Sequence, residues 1–234
     1  MNSVLLDNNT HRDLRIVTTR GAAWGDDLMA TPVFLSEFRS VQSHYPIVFQ
    51  PTDGGGMQPM ALFGLRLGEN LFLEPRGWDA HYIPLAMQRG PFMIGRAGEQ
   101  LMIHVDLDSA RIGRGEGEPV FMPHGATSEY LERVNSVLAA IHQGVEAMPA
   151  FIDALAQHEL LESFVLDVEA GDGSQNRLAG FYTVNEERLA KLDAQAIADL
   201  HAQGFLAPIY MTLASTAHFR DLIERHNMRL ARAA

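Results

Sequence analysis

The apolar residues of this chain change their period near residue 125, and that change limits the folds open to it. Before it they come in short runs. Tyr45 to Phe49, Met60 to Leu67, Asn70 to Glu74 and Leu101 to Leu107 are of strand length, rich in Val, Ile, Leu and Phe, and bounded by TDGGG, GEN, PRG and GRAGE. Such Gly, Asn, Asp and Pro clusters are turn chemistry, so the first half reads as β-rich. LRLGENLFL reads as a hairpin with Gly68, Glu69 and Asn70 as its tight connection. Gly54 to Gly56 lie between two strand candidates and precede no helix, which makes them a hairpin tip rather than a phosphate cradle.

After the change the apolar positions recur at threes and fours. From an N-cap at Thr127 or Ser128, Leu131, Val134, Leu138, Ile141, Val145 and Met148 trace one face of an amphipathic helix. Pro149 suits a first helical turn and predicts a second helix carrying Phe151, Leu155 and Leu161, the pair forming a helical hairpin. Residues 163 to 184 give two strands around a Gly/Asp/Ser/Asn turn, and an isolated hairpin is only marginally stable, so this one should join a larger sheet. Asn185 is the expected cap of a helix to Leu192, Asp193 of one ending at Gly204, and Ser215 of a last one through Phe219, Leu222, Ile223 and Leu230. FLAPIYMTL between them reads as a buried strand or turn. The expectation is a single α+β domain over residues 1–234, with a β-rich N-terminal half and a helix-rich C-terminal half sharing one core.

Composition narrows the function classes. With 47% apolar and 20% charged residues among 234, the chain has the makings of a sizeable core. Its net charge of −11 is not offset by any Lys/Arg cluster, which argues against nucleic acid and against an anionic membrane surface as partners. The longest nearly uncharged apolar stretch, Phe205 to Ala214, is far shorter than the roughly 20 residues of a membrane-crossing helix. A soluble, cytoplasmic protein without membrane insertion is therefore expected. The absence of cysteine removes disulfides, zinc-thiolate sites and thiol nucleophiles from consideration.

Ordered short stretches along nearly the whole chain carry a family resemblance. They are His11 to Arg15 (HRDLR), Pro32 to Phe38, Tyr45 to Phe49 (YPIVF), Ala61 to Leu65 with Asn70 to Phe72, Trp78 to Pro84 with Pro91 and Phe92, Asp106 to Ser109, Gly117 to Phe121, Leu178 to Glu186 and Leu206 to Tyr210. In this order the chain resembles the SapC family of bacterial proteins, named after an S-layer-associated gene. The resemblance implies a soluble proteobacterial protein linked by name to S-layer or peptide transport, often encoded near flavin-dependent tryptophan halogenases and TonB-dependent receptors. It carries over no catalytic motif.

Two stretches hold candidate chemistry. WDAHYIPLAMQRGPFMIG, residues 78 to 95, follows neither helical nor strand period. Trp78, Tyr82 and Phe92 offer apolar area, and His81 and Arg89 could orient an acidic or amide group, the makeup of a small-molecule or peptide pocket. The same composition, with Pro84 and Pro91 removing two donors, also describes a buried crossover. In the second stretch, His104 and Asp106 lie two apart on one strand face. With a distal histidine from His124, His158 or His201 they would make the facial triad of an Fe(II)/2-oxoglutarate oxygenase. About 0.6 such triplets arise by chance in a chain with this many His and Asp. Asp106 to Ser109 also reads as a strand-end turn whose side chains accept backbone N–H bonds. His142 and Glu146, one helical turn apart, lack the partners of a metal site. No serine sits in a nucleophile elbow and no dinucleotide fingerprint follows a strand. The favoured reading is an accessory binding protein for a small molecule, a peptide or another protein, with no cofactor, and the iron-dependent oxygenase of His104 and Asp106 is its alternative.

At micromolar protein a labelled DNA or RNA duplex should run unshifted in a native gel, and a salt-sensitive shift would contradict the exclusion of nucleic acid.

Overall fold

Where a capping side chain stands at the head of an apolar period, the helix forms as the period dictates. Ser128 Oγ accepts the Leu131 N–H, Asn185 Oδ1 the Arg188 N–H and Asp193 Oδ1 the Ala196 N–H, each satisfying a donor that the first turn leaves open. The computed structural model describes residues 2–97, 100–113, 115–169 and 175–233. In chain order its elements are β1 (Ser3–Leu5), β2 (Arg15–Ile16), β3 (Ala30–Pro32), α1 (Phe38–Val41), β4 (Ile47–Pro51), β5 (Met57–Leu62), β6 (Leu73–Glu74), β7 (Gly77–Trp78), α2 (Leu85–Gln88), β8 (Phe92–Ala97), β9 (Gln100–Asp106), β10 (Ile112–Gly113), β11 (Glu118–Pro119), α3 (Glu129–Gln157), β12 (Leu161–Glu169), β13 (Gln175–Val184), α4 (Glu186–Ala190), α5 (Ala194–Ala202), α6 (Leu206–Ser215) and α7 (His218–Ala233). The fold is α+β, with antiparallel strands mostly in the first half and helices mostly in the second. Among the described residues no helix is long and apolar enough to cross a membrane.

The residues gather into two compact units that interleave in sequence. The first takes the chain up to Asp26, Leu73–Trp78 and Leu85–Gln143. It holds a sheet of order β1-β9-β8, a small sheet of order β10-β2-β11 and the ribbon β6-β7. Phe92 and Val105, opposite one another on β8 and β9, pack with Ile16 and Val120 against Leu131, Val134 and Leu138 of α3. Of the helical stripe expected from the sequence, Leu131, Val134, Leu138 and Met148 are buried, whereas Val145 is 55% exposed.

The second unit takes Asp27–Phe72, Asp79–Pro84 and the chain from Gly144 onward. Its sheet runs β12-β13-β4-β5-β3, so the late hairpin does join a larger sheet, through Tyr182 opposite Phe49. The turn between β12 and β13 lies outside the described residues. The tip of the β4–β5 hairpin is the expected glycine turn, closed by Thr52 N–H to the Gly56 carbonyl and Gly55 N–H to the Thr52 carbonyl. Phe151 lies edge-on to Phe38 and Phe205, and Tyr45 edge-on to Phe63 and Phe72, which gives this core an aromatic spine.

Four expectations are corrected. LRLGENLFL is not a hairpin: β5 ends at Leu62, and the loop closes through Leu71 N–H to the Phe63 carbonyl at 2.8 Å. The Glu69 carboxylate accepts the Leu65 N–H at 3.0 Å, doing for the backbone what a ladder would have done. A Cβ at Gly64 would lie 2.3 Å from the Glu69 carbonyl oxygen, so only glycine permits that closure. FLAPIYMTL is helical, as α6, because Pro208 falls in its first turn, where the missing N–H has no helical acceptor to lose. Ser215 accordingly ends α6 instead of starting α7, donating to the Thr212 carbonyl and accepting the Ile47 N–H.

Last, Pro149 starts nothing; α3 runs through it as one helix of 29 residues. Pro149 is exposed and so is Val145, whose carbonyl it deprives of an N–H, while Met148, Phe151 and Leu155 are buried. Continuous packing on one side outweighs one missing bond on the other. Pro149→Ala should therefore stabilise the protein by about 1–3 kcal/mol in urea denaturation, by restoring that bond and a better helix former. A loss of stability would show that residue 149 is a true helix start.

Candidate functional site

A buried ionisable group without partners would be a candidate chemical site. Asp26, in the first unit, accepts the Gly21 N–H at 2.8 Å, Arg111 at 2.6 Å and Arg20 at 3.2 Å. The two guanidiniums donate further to the carbonyls of Val17, Thr19 and Met87. Burial lowers the pKa of Arg20, which Asp26 opposes. In the second unit Glu69 meets Leu65 N–H, Arg66 and His226, and His226 also meets Asn176 at 3.1 Å. That Glu–His pair has the outline of a catalytic dyad, but Asn176 occupies the nitrogen that a nucleophile would need. Glu37 accepts the Phe34 N–H at 3.1 Å and the Tyr82 hydroxyl at 2.8 Å.

The segment from Trp78 to Gly95 is divided between the units. Trp78, half-buried, pairs with Leu73 in the β6–β7 ribbon. Leu85–Gln88 makes one helical turn, and Arg89 donates to the Phe92 carbonyl at 2.7 Å with its pKa lowered by burial. Phe92 is fully buried against Tyr130 in the first core. His81 and Tyr82 belong to the second unit. The Tyr82 hydroxyl is raised above the usual phenol pKa, first by burial and then by the Glu37 charge.

His81 has a neighbour that the sequence did not announce. Its ring lies 5.9 Å from that of His44, inclined by 25°. The residue following each histidine fixes the arrangement. Tyr45, fully buried, donates its hydroxyl to the backbone carbonyl of Tyr82, and Tyr82 is in turn held by Glu37. Neither imidazole has a hydrogen-bond or ion-pair partner among the described residues. The His44 pKa is lowered, first by burial and then by repulsion from His81 and His218.

A second feature lies wholly in the first unit. A cleft of about 200 Å³ runs between the β8–β9 hairpin and α3, lined by Ile94, Leu101, Met102 and Ile103 on one side and Asn135, Leu138, Ala139, His142 and Gln143 on the other. Leu101, 45% exposed, stands at its rim. Asn135, Ala139 and His142 follow the i, i+4, i+7 spacing of one helical stripe, the sequence signal that could have located this wall. None of Trp78, His81, Tyr82, Arg89 and Phe92 lines it.

His104 and Asp106 do share a face of β9, yet each has a structural task. The His104 ring covers Gly95 on the paired strand, where a Cβ would come within 2.5 Å of Nε2. Asp106 accepts the N–H groups of Asn2 and Asp108, as the strand-end turn reading of Asp106 to Ser109 expects. Among the described residues no third His, Asp or Glu joins them to make a metal-holding group.

Tyr130 yields a pH test. Burial pushes its phenol up to about 12, against the pull of Arg111 and Arg20, so ionisation favours the unfolded chain. The stability it contributes, on the order of 2–3 kcal/mol, is complete below about pH 10 and is lost as pH climbs towards 12. Urea midpoints measured from about pH 9 to 11.5 should fall less steeply for Tyr130→Phe than for the parent; equal slopes would contradict this account.

Among curated proteins and among solved structures none matches the chain. The sequence profile of the SapC family matches residues 6–222, which takes in β2 to β13, the cleft, both histidines and the start of α7. The chain belongs to the SapC family.

Proposed function

We propose that this protein works by binding, as an accessory factor that takes a peptide or a small molecule into the cleft between β8–β9 and α3. The observation that carries the reading is the makeup of that cleft: an apolar floor from Ile94, Met102, Ile103 and Leu138, with Asn135, His142 and Gln143 beside it. Amide side chains offer both donors and acceptors to a peptide backbone, and apolar walls take a side chain. About 200 Å³ is below the roughly 300–1,000 Å³ of drug-sized pockets, which favours one or two side chains of a peptide over a large cofactor.

The buried carboxylates support the same reading. Asp26, Glu37 and Glu69 are engaged with donors of the fold, and a carboxylate so engaged is poorly placed for acid–base catalysis. The S-layer or peptide transport implied by the family's name, in a bacterial cytoplasm, is the setting in which a peptide-handling factor would act. Of the residues expected to line a pocket, Arg89 and Phe92 would serve this function by holding the start of β8, whereas His81 and Tyr82 belong to the second unit.

Fluorescence anisotropy tests the proposal with a labelled decapeptide rich in Leu and Phe and a Ser/Gly peptide of equal length. Micromolar binding of the first alone is expected, weakened at least tenfold by Ala139→Phe, which places a ring in the cleft from an exposed helix position. Equal binding of both peptides, or affinity unchanged by Ala139→Phe, would overturn it.

A further inference from the structure

We infer that His44 and His81 form a two-histidine site for a divalent transition-metal ion of the zinc, nickel or copper class. The imidazoles are 5.9 Å apart between ring centres and inclined by only 25°. With metal–nitrogen bonds of about 2.0–2.1 Å, two imidazoles on one tetrahedral ion have ring centres about 5 Å apart, with the ion in both ring planes. The rings are stacked, so each turns about its χ2 to aim a nitrogen at a shared ion. Water completes the coordination, since no third His, Asp or Glu among the described residues is placed to do so.

Further observations point to the same pair. His44 and His81 have no hydrogen-bond or ion-pair partner among the described residues, so ligation breaks nothing. His218, the third imidazole nearby, is engaged at Nδ1 by Asp221 and at Nε2 by the Gln42 carbonyl, and stays outside the site. The backbones that carry the pair are tied together by the Tyr45 hydroxyl on the Tyr82 carbonyl, and Tyr82 by Glu37, so the two ligands are held close before an ion arrives. His81 is exposed, which gives an ion its way in.

Calorimetric titration of the full chain with zinc sulfate, after dialysis against chelator and then chelator-free buffer near neutral pH, tests the site. One equivalent should bind in the micromolar range, at least tenfold more weakly in His81→Ala and in His44→Ala, and unchanged in His104→Ala. His81 is exposed, so His81→Ala should keep the parent's circular dichroism spectrum and decides the matter even if His44→Ala is perturbed. Absence of saturable binding up to about 100 μM zinc, or binding that survives His81→Ala, would overturn the inference. Failure of the cleft to bind peptide would leave it untouched.

Discussion

A carboxylate withdrawn from water must be given back its hydrogen bonds by the protein, or the fold does not form around it. Asp26, Glu37 and Glu69 are 2%, 3% and 5% exposed, and each is the point on which an irregular stretch closes. Asp26 gathers the Gly21 backbone with Arg20 and Arg111; Glu37 ties the turn after β3 to Tyr82; Glu69 folds the chain back from Leu65 and holds His226 of α7. Much of the first half is not in regular sheet, and these three side chains supply partners that longer ladders would otherwise have supplied.

That use of buried charge bears on function. Acid–base chemistry needs a titratable group that faces a substrate, and the deepest ones here face the fold's own N–H, guanidinium and hydroxyl groups. Two accessible features are of another kind: an apolar cleft bordered by amides in the first unit and, in the second, a pair of imidazoles without hydrogen-bond partners among the described residues. The two proposals are physically separate, since the cleft depends on the packing of α3 against the β8–β9 hairpin and the imidazole pair on the Tyr45–Tyr82 tie.

Local signals were legible and non-local ones were not. Ser128, Asn185 and Asp193 could be read as caps because a cap acts within four residues, and β12–β13 because alternation and turn residues are local too. FLAPIYMTL was ambiguous, because a short run that is apolar throughout has the same appearance as strand or helix, and only packing decides. Pro149 misled for a related reason: whether a proline ends a helix depends on what the next turn can bury, and here that is Phe151 and Leu155. Of the site residues, His81 and Tyr82 drew notice by their composition. Their counterparts Tyr45 and Glu37 lie 37 and 45 positions away, and no spacing rule connects them. The glycine beneath His104 shows the opposite error, a motif on one strand face whose ring proves to be packing.

The central claim is that the cleft between β8–β9 and α3 is where this protein meets its ligand. Methyl-resolved NMR on the Ile- and Met-labelled chain addresses it most directly, with the Leu- and Phe-rich peptide as titrant. The account predicts shifts concentrated at Ile94, Met102 and Ile103, with Ile47 and Ile209 of the second unit's core unmoved. Saturable binding whose shifts fall elsewhere and leave those three methyl groups in place would contradict it.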